Sequence, residues 1–251
     1  MNKTSCTTSI KNEKKQTQIQ KNNKQKNVDI SVAILSAGIG SRIKSYEPRS
    51  LLKINDSILI DHQINVINSC FADPEIIGVF GYNCQRIVKK LDSSIRVVEN
   101  QLYDETNVSE SLRLAFNNMN KRAFLFMHGD LIFNKQTIYE PNYNKSFIII
   151  DTQNHIESKE VGVTVVNNKA TIFSYGLDVK WCQMAFVTGK ELRIMRQIFN
   201  KFENSSKKML SFEILNKIIE NGGTFECHEP HGMKIMEIDR IRKGMYEDFN
   251  F

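Results

Sequence analysis

Val32-Ala33-Ile34-Leu35-Ser36-Ala37-Gly38-Ile39-Gly40-Ser41-Arg42, followed by Pro48-Arg49-Ser50-Leu51-Leu52, is the stretch on which the chain turns. The apolar run predicts a buried strand that breaks into small residues, two glycines and then two arginines. Glycine has no Cβ, so backbone N–H groups at Gly38 and Gly40 can approach a polyphosphate closely. Leu35, Ser36, Ala37, Gly38, Gly40 and Ser41 are therefore candidate nucleotide contacts. Arg42 and Arg49 are candidate neutralisers of phosphate charge. A lone G-x-G marks a tight turn more often than a phosphate loop, and two familiar phosphate loops are excluded. Ile43 stands where a dinucleotide fingerprint needs its third glycine, and no G-K-[ST] follows.

The basic balance of the chain is local. Of the net charge of +6, +5 lies in residues 1–29, where seven lysines face only Glu13 and Asp29. The remainder carries 27 basic and 26 acidic residues, which leaves no bulk electrostatic case for nucleic acid on the folded part. Residues 1–29 are poor in apolar side chains and rich in Lys, Asn, Gln and Thr, so they read as a disordered tail, with a polyanion-binding arm as the alternative. Residues 30–251 read as one domain, long enough to bury a substantial core. Cys6, Cys70, Cys84, Cys182 and Cys227 are odd in number and dispersed, which suits free thiols in a reducing compartment. No apolar run is long enough to span a bilayer and the N-terminus lacks a signal-like apolar segment, so the expected location is cytoplasmic.

Strands and helices alternate along the chain. Ile58, Leu59, Ile60, Ile64, Ile67 and Cys70 predict a helix over 57–71, and Glu75–Phe80 predicts a second strand ending at Gly81-Tyr82. A helix over 83–91 and a strand over 95–99 complete another unit, which favours right-handed crossovers and a largely parallel sheet. A polar loop from Asn100 to Asn107 leads into a helix over 108–119. Ala123–His128 is a further strand, and it delivers Gly129-Asp130 to its carboxyl end, where ligands of such sheets sit. A hard oxygen ligand there suits Mg²⁺, whereas His128 reads as a strand-end residue and not as a base. Four more strands are expected over 146–151, 161–166, 170–174 and 182–187, then helices over 189–203 and 207–221. Cys227-His228-Glu229-Pro230-His231 contains soft-metal ligand types, but its spacing matches no standard zinc site and it reads as a loop over the cleft.

L-S-A-G-x-G-S-R with P-R-S-L-L some seven residues later resembles the N-terminal motif of the GT-A-type nucleotidyltransferases, L-A-A-G-x-G-[ST]-R…P-K-x-L. Arg49 stands where that family has lysine. Asn100, Tyr103, Asn107 and Ser111-Leu112 resemble the N-x-x-Y-x-x-x-N-x-x-x-S-L pattern of the phosphocholine cytidylyltransferase-like branch. Sugar-phosphate nucleotidyltransferases have a G-T-A loop there. Leu177, Lys180 and Trp181 are similar to that branch's G-L-x-x-K-W segment, and Glu237-Ile238-Asp239 to its E-I-D ending.

The resemblance implies an α/β, GT-A/Rossmann-like three-layer sandwich with a mixed, mainly parallel central sheet flanked by helices. It implies an enzyme that joins a nucleoside triphosphate, CTP by the branch, to a small phosphorylated acceptor such as phosphocholine and releases pyrophosphate. Asp130 and Asp239 would hold Mg²⁺. Arg42 and Arg49 would be catalytic, with Tyr82, Asn107 and Ser111 joining the glycine loop around the nucleotide. Tyr175, Lys180 and Trp181 would face the acceptor, the aromatic pair as a cage for a quaternary ammonium. A lone tryptophan packed in a core is the competing reading of Trp181. Two alternatives stay open for the whole chain: a sugar-1-phosphate nucleotidyltransferase, and a catalytically weak nucleotide-binding homologue.

Overall fold

Strand β1 (Ile30–Ser36) is buried over all but its last residue, as its run of aliphatic side chains requires of a central strand covered on both faces. Alternation along it feeds two cores. Ala33 and Leu35 join one, and Ile30, Val32 and Ile34 join the other. These elements belong to a computed structural model that describes residues 25–39, 47–54, 56–91 and 95–238. After β1 come β2 (Lys53–Ile54), β3 (Ser57–Ile58), α1 (Leu59–Cys70), β4 (Glu75–Phe80), α2 (Cys84–Val88), β5 (Arg96–Glu99) and α3 (Val108–Asn117). Next are β6 (Ala123–His128), β7 (Leu131–Phe133), α4 (Lys135–Tyr139), β8 (Phe147–Asp151), β9 (Val161–Val166) and β10 (Lys169–Tyr175). The described chain closes with β11 (Val179–Val187), α5 (Gly189–Asn200), α6 (Ser211–Glu220), β12 (Glu226–His228) and β13 (Ile235–Glu237).

Nine strands form one sheet in the order β5-β4-β1-β6-β11-β8-β12-β10-β9. The first four run parallel. From β11 onward the pairing is antiparallel, apart from the parallel pair β12–β8. The expected mainly parallel sheet is therefore parallel only in its first half. Strand β11 is the reason. Its register shifts between Trp181 and Ala185, so its end pairs with β6 while its start also pairs with β9. Helices α3, α5 and α6 bury Leu112, Phe116, Met195, Phe199, Ile214 and Leu215 on one face of the sheet. Helix α1 buries Ile60, Ile64 and Ile67 on the other, at the 3.6-residue spacing its sequence showed. Each fully buried aliphatic side chain of this kind contributes about 1.5–3 kcal/mol.

Two sequence expectations change. The segment around Cys227 is no loop over the cleft, because β12 lies inside the sheet between β8 and β10 with Cys227 buried. The described fold also starts before Ile30. Lys26 N–H donates to Cys70 O at 2.7 Å, Ala72 N–H returns to Lys26 O at 3.0 Å, and Lys26 Nζ donates to Pro141 O at 3.0 Å. The Lys26 ammonium also lies 5.2–5.3 Å from the ring centres of Tyr143 and Tyr139, within cation–π range. A boundary at residue 29 thus cuts through packed chain.

Candidate active site

The carboxyl ends of β1 and β6 meet because Gly129 permits it. A Cβ there would lie 2.4 Å from Ser36 Cβ and 2.9 Å from Leu35 O, and Gly129 N–H donates to Leu35 O at 2.8 Å. Gly81 plays the same part on the other side of β1, where a Cβ would meet Ala37 O at 2.7 Å. These contacts hold Leu35, Ser36, Ala37 and Gly38 along one wall of an open cleft of about 890 Å³. A Cβ built on Gly38, by contrast, would meet nothing within 4 Å, so its backbone faces open space. The cleft also takes in Arg49, Asn107, Ser111, Asp130, Tyr175, Lys180 and Trp181, residues spread over more than 130 positions of sequence. Tyr82 is not among its lining residues. It backs the wall, with its N–H on Ala37 O at 2.9 Å and its ring edge-on to Tyr103. Gly40, Ser41, Arg42 and Asp239 lie outside the described residues.

Asp130 sits in the turn between β6 and β7. Its main chain is fixed by Ile238 N–H, which donates to Asp130 O at 2.7 Å. Gln63, buried in α1, reaches the same turn from below and donates to Leu131 O at 2.7 Å. Arg49 occupies the first position of a 3-10 turn, Arg49–Leu51, that follows Pro48 and is anchored by buried Ser50 and Leu51. From there its guanidinium Nη1 donates to Asp130 Oδ2 in an ion pair. Asp130 Oδ1 and Arg49 Nε are both buried without a hydrogen-bond partner among the described residues. A buried carboxylate oxygen with no partner is costly, and a hard cation would satisfy it. His128, two residues earlier at the end of β6, shares a 2.8 Å hydrogen bond with Ser211 Oγ. Burial pushes its pKa below the ordinary histidine value, Arg49 adds to that, and Asp130 opposes it, so the ring is neutral near pH 7.

The loop before α3 is organised by Asn100, which is buried. Its Nδ2 donates to Thr106 Oγ1 at 3.1 Å and Ser111 Oγ at 3.2 Å, while its Oδ1 accepts from Leu102 N–H at 3.1 Å. Asn107 Oδ1 accepts from Val108 N–H at the helix start and remains exposed at the cleft. Ser111 thus serves the loop's internal framework as well as lining the cleft.

The aromatic residues follow the core reading of Trp181 and not the cage with Tyr175. Trp181 is only 2% exposed, its Nε1 donates to Met184 O at 3.0 Å, and it packs edge-on against Phe173 and His128. That bond spans the β11 bulge. Tyr175, 48% exposed, instead meets Phe212 edge to face at 5.7 Å, and both line the cleft. Lys180 is paired with Glu160, and Asp151 and Glu237 stand in the same wall. Burial works against the charge on Lys180, but the hydrogen bond and charge of Glu160 outweigh it and lift its pKa. Within the bulge Gln183 adopts a left-handed backbone, φ 56°, and donates to Glu237 Oε2 at 2.7 Å. That conformation costs a non-glycine residue about 1–2 kcal/mol. Phe212, Gln183, Glu160 and Gln63 carried no local sequence signal. A tetrapeptide pattern cannot show which residue of one strand or helix faces another 30–120 positions away. A second, smaller cavity of about 240 Å³ lies between α5 and α6, away from this chemistry.

Comparison with known proteins agrees with this geometry. Residues 32–142 match the model of the MobA-like NTP transferase domain. Three solved structures share the fold. The inositol-1-phosphate CTP transferase of T. maritima is 14% identical, with a TM-score of 0.70 over 89% of this chain and 96% of that one. The CTP:phosphocholine cytidylyltransferase of Streptococcus pneumoniae is 18% identical, with a TM-score of 0.69 over 85% and 95%. A putative glucose-1-phosphate thymidylyltransferase from Bacillus anthracis is 14% identical, with a TM-score of 0.67 over 84% and 90%. With a glycine-edged cleft at the strand ends, a domain match across that cleft's first half and this fold over the remainder, the chain is an enzyme of the nucleotidyltransferase type.

Proposed function

We propose that the protein transfers a cytidylyl group from CTP to the phosphate of a small phosphorylated alcohol bearing a cationic end, such as phosphocholine, and releases pyrophosphate. One observation carries this reading. The cleft is lined by Asp130, Arg49 and the Ala37–Gly38 backbone on one hand, and by the Tyr175–Phe212 pair with the carboxylates of Asp151 and Glu160 on the other. The first set suits phosphates. The second suits a cation, through aromatic faces and negative charge. A sugar ring would call for hydroxyl-matched hydrogen bonds instead.

In this reading an oxygen of the acceptor phosphate attacks the α-phosphorus in line, the new P–O bond forms, and the bond to pyrophosphate breaks with its electron pair leaving on the pyrophosphate oxygen. The acceptor phosphate is already ionised near neutral pH, so no residue need remove a proton, which accords with a neutral His128. The Ala37–Gly38 backbone borders the triphosphate, Arg49 and Arg42 offset its charge, and the Asn100-braced loop with Asn107 and Ser111 borders the base. Asp130, with its unpartnered Oδ1, and Asp239, the residue after Ile238, would hold Mg²⁺. When bound, Mg²⁺ neutralises charge on the phosphate oxygens. Helices over both cores suit a three-layer GT-A arrangement, and the free, buried Cys70, Cys84, Cys182 and Cys227 suit a cytoplasmic setting.

The test is pyrophosphate release with CTP, UTP, GTP, ATP and dTTP, each against phosphocholine, other phospho-alcohols and glucose 1-phosphate. CTP with a cationic phospho-alcohol should turn over fastest. Preference for UTP or dTTP with the sugar phosphate would overturn the assignment.

A further inference from the structure

We infer that Arg49 occupies the metal's place on Asp130 in the substrate-free enzyme, so that divalent ion and nucleotide bind together and the metal alone binds poorly. The inference rests on the proposal that Asp130 is a metal ligand. It departs from that proposal in giving Arg49 two successive partners: the carboxylate first, the nucleotide's phosphates later.

The local architecture leaves the side chains as the moving parts. Arg49 is held in its turn by Leu51 N–H on Pro48 O at 2.9 Å and Leu52 N–H on Arg49 O at 3.0 Å. Asp130 is held through its own carbonyl by Ile238 and through Gly129 N–H on Leu35 O. Leu52, Ile54, Leu59, Ile132 and Ile238 form a small core that ties these segments together. Between the two fixed backbones, the guanidinium and the carboxylate face each other with side chains only 18% and 11% exposed.

The pair is close but incompletely satisfied. Among the described residues, one carboxylate oxygen takes the guanidinium, the other has no partner, and Arg49 Nε donates to nothing. A divalent ion arriving alone would sit on Asp130 beside a guanidinium, a like-charge encounter in a poorly solvated place. Driving Arg49 off without a new anion would leave a partly buried cation uncompensated, which is the costly half of breaking such a pair. A nucleotide triphosphate removes both obstacles. Its phosphates take the guanidinium in the forked geometry that arginine offers, and Asp130 becomes free for the metal. The exchange balances charge only when metal and nucleotide arrive together. Arginine suits this role better than lysine, because a guanidinium is more weakly hydrated and rests more readily on a buried carboxylate. This gives a physical reason for arginine at position 49.

Coupling of this kind is reciprocal and typically amounts to about 5–150-fold in affinity. The test is binding of Mn²⁺ alone to the full chain, read from the loss of the free-ion electron paramagnetic resonance signal, for wild type, Arg49→Ala, Arg49→Gln, Asp130→Asn and the double variant Arg49→Ala/Asp130→Asn. Arg49→Gln keeps a planar polar end and serves if the alanine variant does not fold. Without nucleotide, removal of the guanidinium should tighten Mn²⁺ at least about tenfold, and the double variant should lose that gain. In wild type, saturating Mn²⁺ should strengthen binding of α,β-methylene-CTP more than it does in Arg49→Ala. If Arg49→Ala and Arg49→Gln bind Mn²⁺ no more tightly than wild type, while Asp130→Asn weakens it, Asp130 is a ligand but Arg49 is no competitor, and the inference fails alone. If the double variant binds Mn²⁺ as tightly as Arg49→Ala, the metal assignment fails with it.

Discussion

On the parallel side of the sheet, β1 and β6 end side by side and offer the cleft mainly backbone, one carboxylate and one guanidinium. On the antiparallel side, β8, β9, β10 and β11 offer side chains: Asp151, Tyr175, Lys180 and, through the bulge, Gln183. The first region depends on close approach of main chain, made possible by Gly81 and Gly129. The second depends on which way side chains point in strands whose register is set by a bulge. A reaction centre common to many substrates suits the first kind of construction, and a pocket selecting one acceptor suits the second. The two regions should therefore fail differently when altered.

The largest effect is expected at Asp130. Asp130→Ala should lower turnover by at least about 10²–10³-fold, as loss of a placed electrostatic contact does, with a melting curve that still shows one cooperative transition. Near-normal turnover at the same Mg²⁺ would remove Asp130 from the chemistry. Arg49→Ala should lower turnover by at least about tenfold, with Arg49→Lys retaining part of it. Both variants belong to the parallel side, so both should alter turnover for every acceptor alike.

Substitutions on the antiparallel side should be selective. Tyr175→Ala and Phe212→Ala should each raise the KM for a quaternary-ammonium acceptor by roughly 3–30-fold, since a cation–π contact is worth about 0.5–2 kcal/mol. The KM for CTP should change less than twofold by the same reasoning, because neither ring belongs to the phosphate-binding set. Equal losses for both substrates would dissolve the distinction between the two regions. The smallest effect concerns Lys26. A chain cut after residue 28 should be about 1–3 kcal/mol less stable than one cut after residue 24, because it loses two backbone hydrogen bonds, the bond to Pro141 and the stacking on Tyr139 and Tyr143. Equal chemical denaturation midpoints would show that these contacts contribute nothing net.

The same division explains what the sequence made legible. Strand β1, its glycine edge, and Asp130 at the end of β6 are each contiguous runs whose chemistry is local, and the amphipathic spacing of α1 marks its buried face. Asn100, Asn107 and Ser111 also sit within one short stretch. The antiparallel half escapes local reading. β12 is three residues long, too short for any periodicity, yet it fills a place inside the sheet. β7 and β13 pair across about a hundred residues of chain. Trp181 attracts attention as the single tryptophan, but its indole is spent on the bulge, and Phe212 from α6 takes the position beside Tyr175. Gln183 shows why. Its left-handed backbone is imposed by the register shift in β11, not by its own preference, so nothing at that position announces it.

The central claim is that this cleft joins CTP to a cationic phospho-alcohol. The direct measurement is ³¹P NMR of CTP, phosphocholine and Mg²⁺ incubated with the full chain, with Asp130→Ala and glucose 1-phosphate as the two comparison arms. The account predicts a growing diphosphate-diester signal with stoichiometric pyrophosphate from phosphocholine, little from the sugar phosphate, and none with Asp130→Ala. Product from glucose 1-phosphate alone, or nucleotide binding with no product from either acceptor, would contradict it.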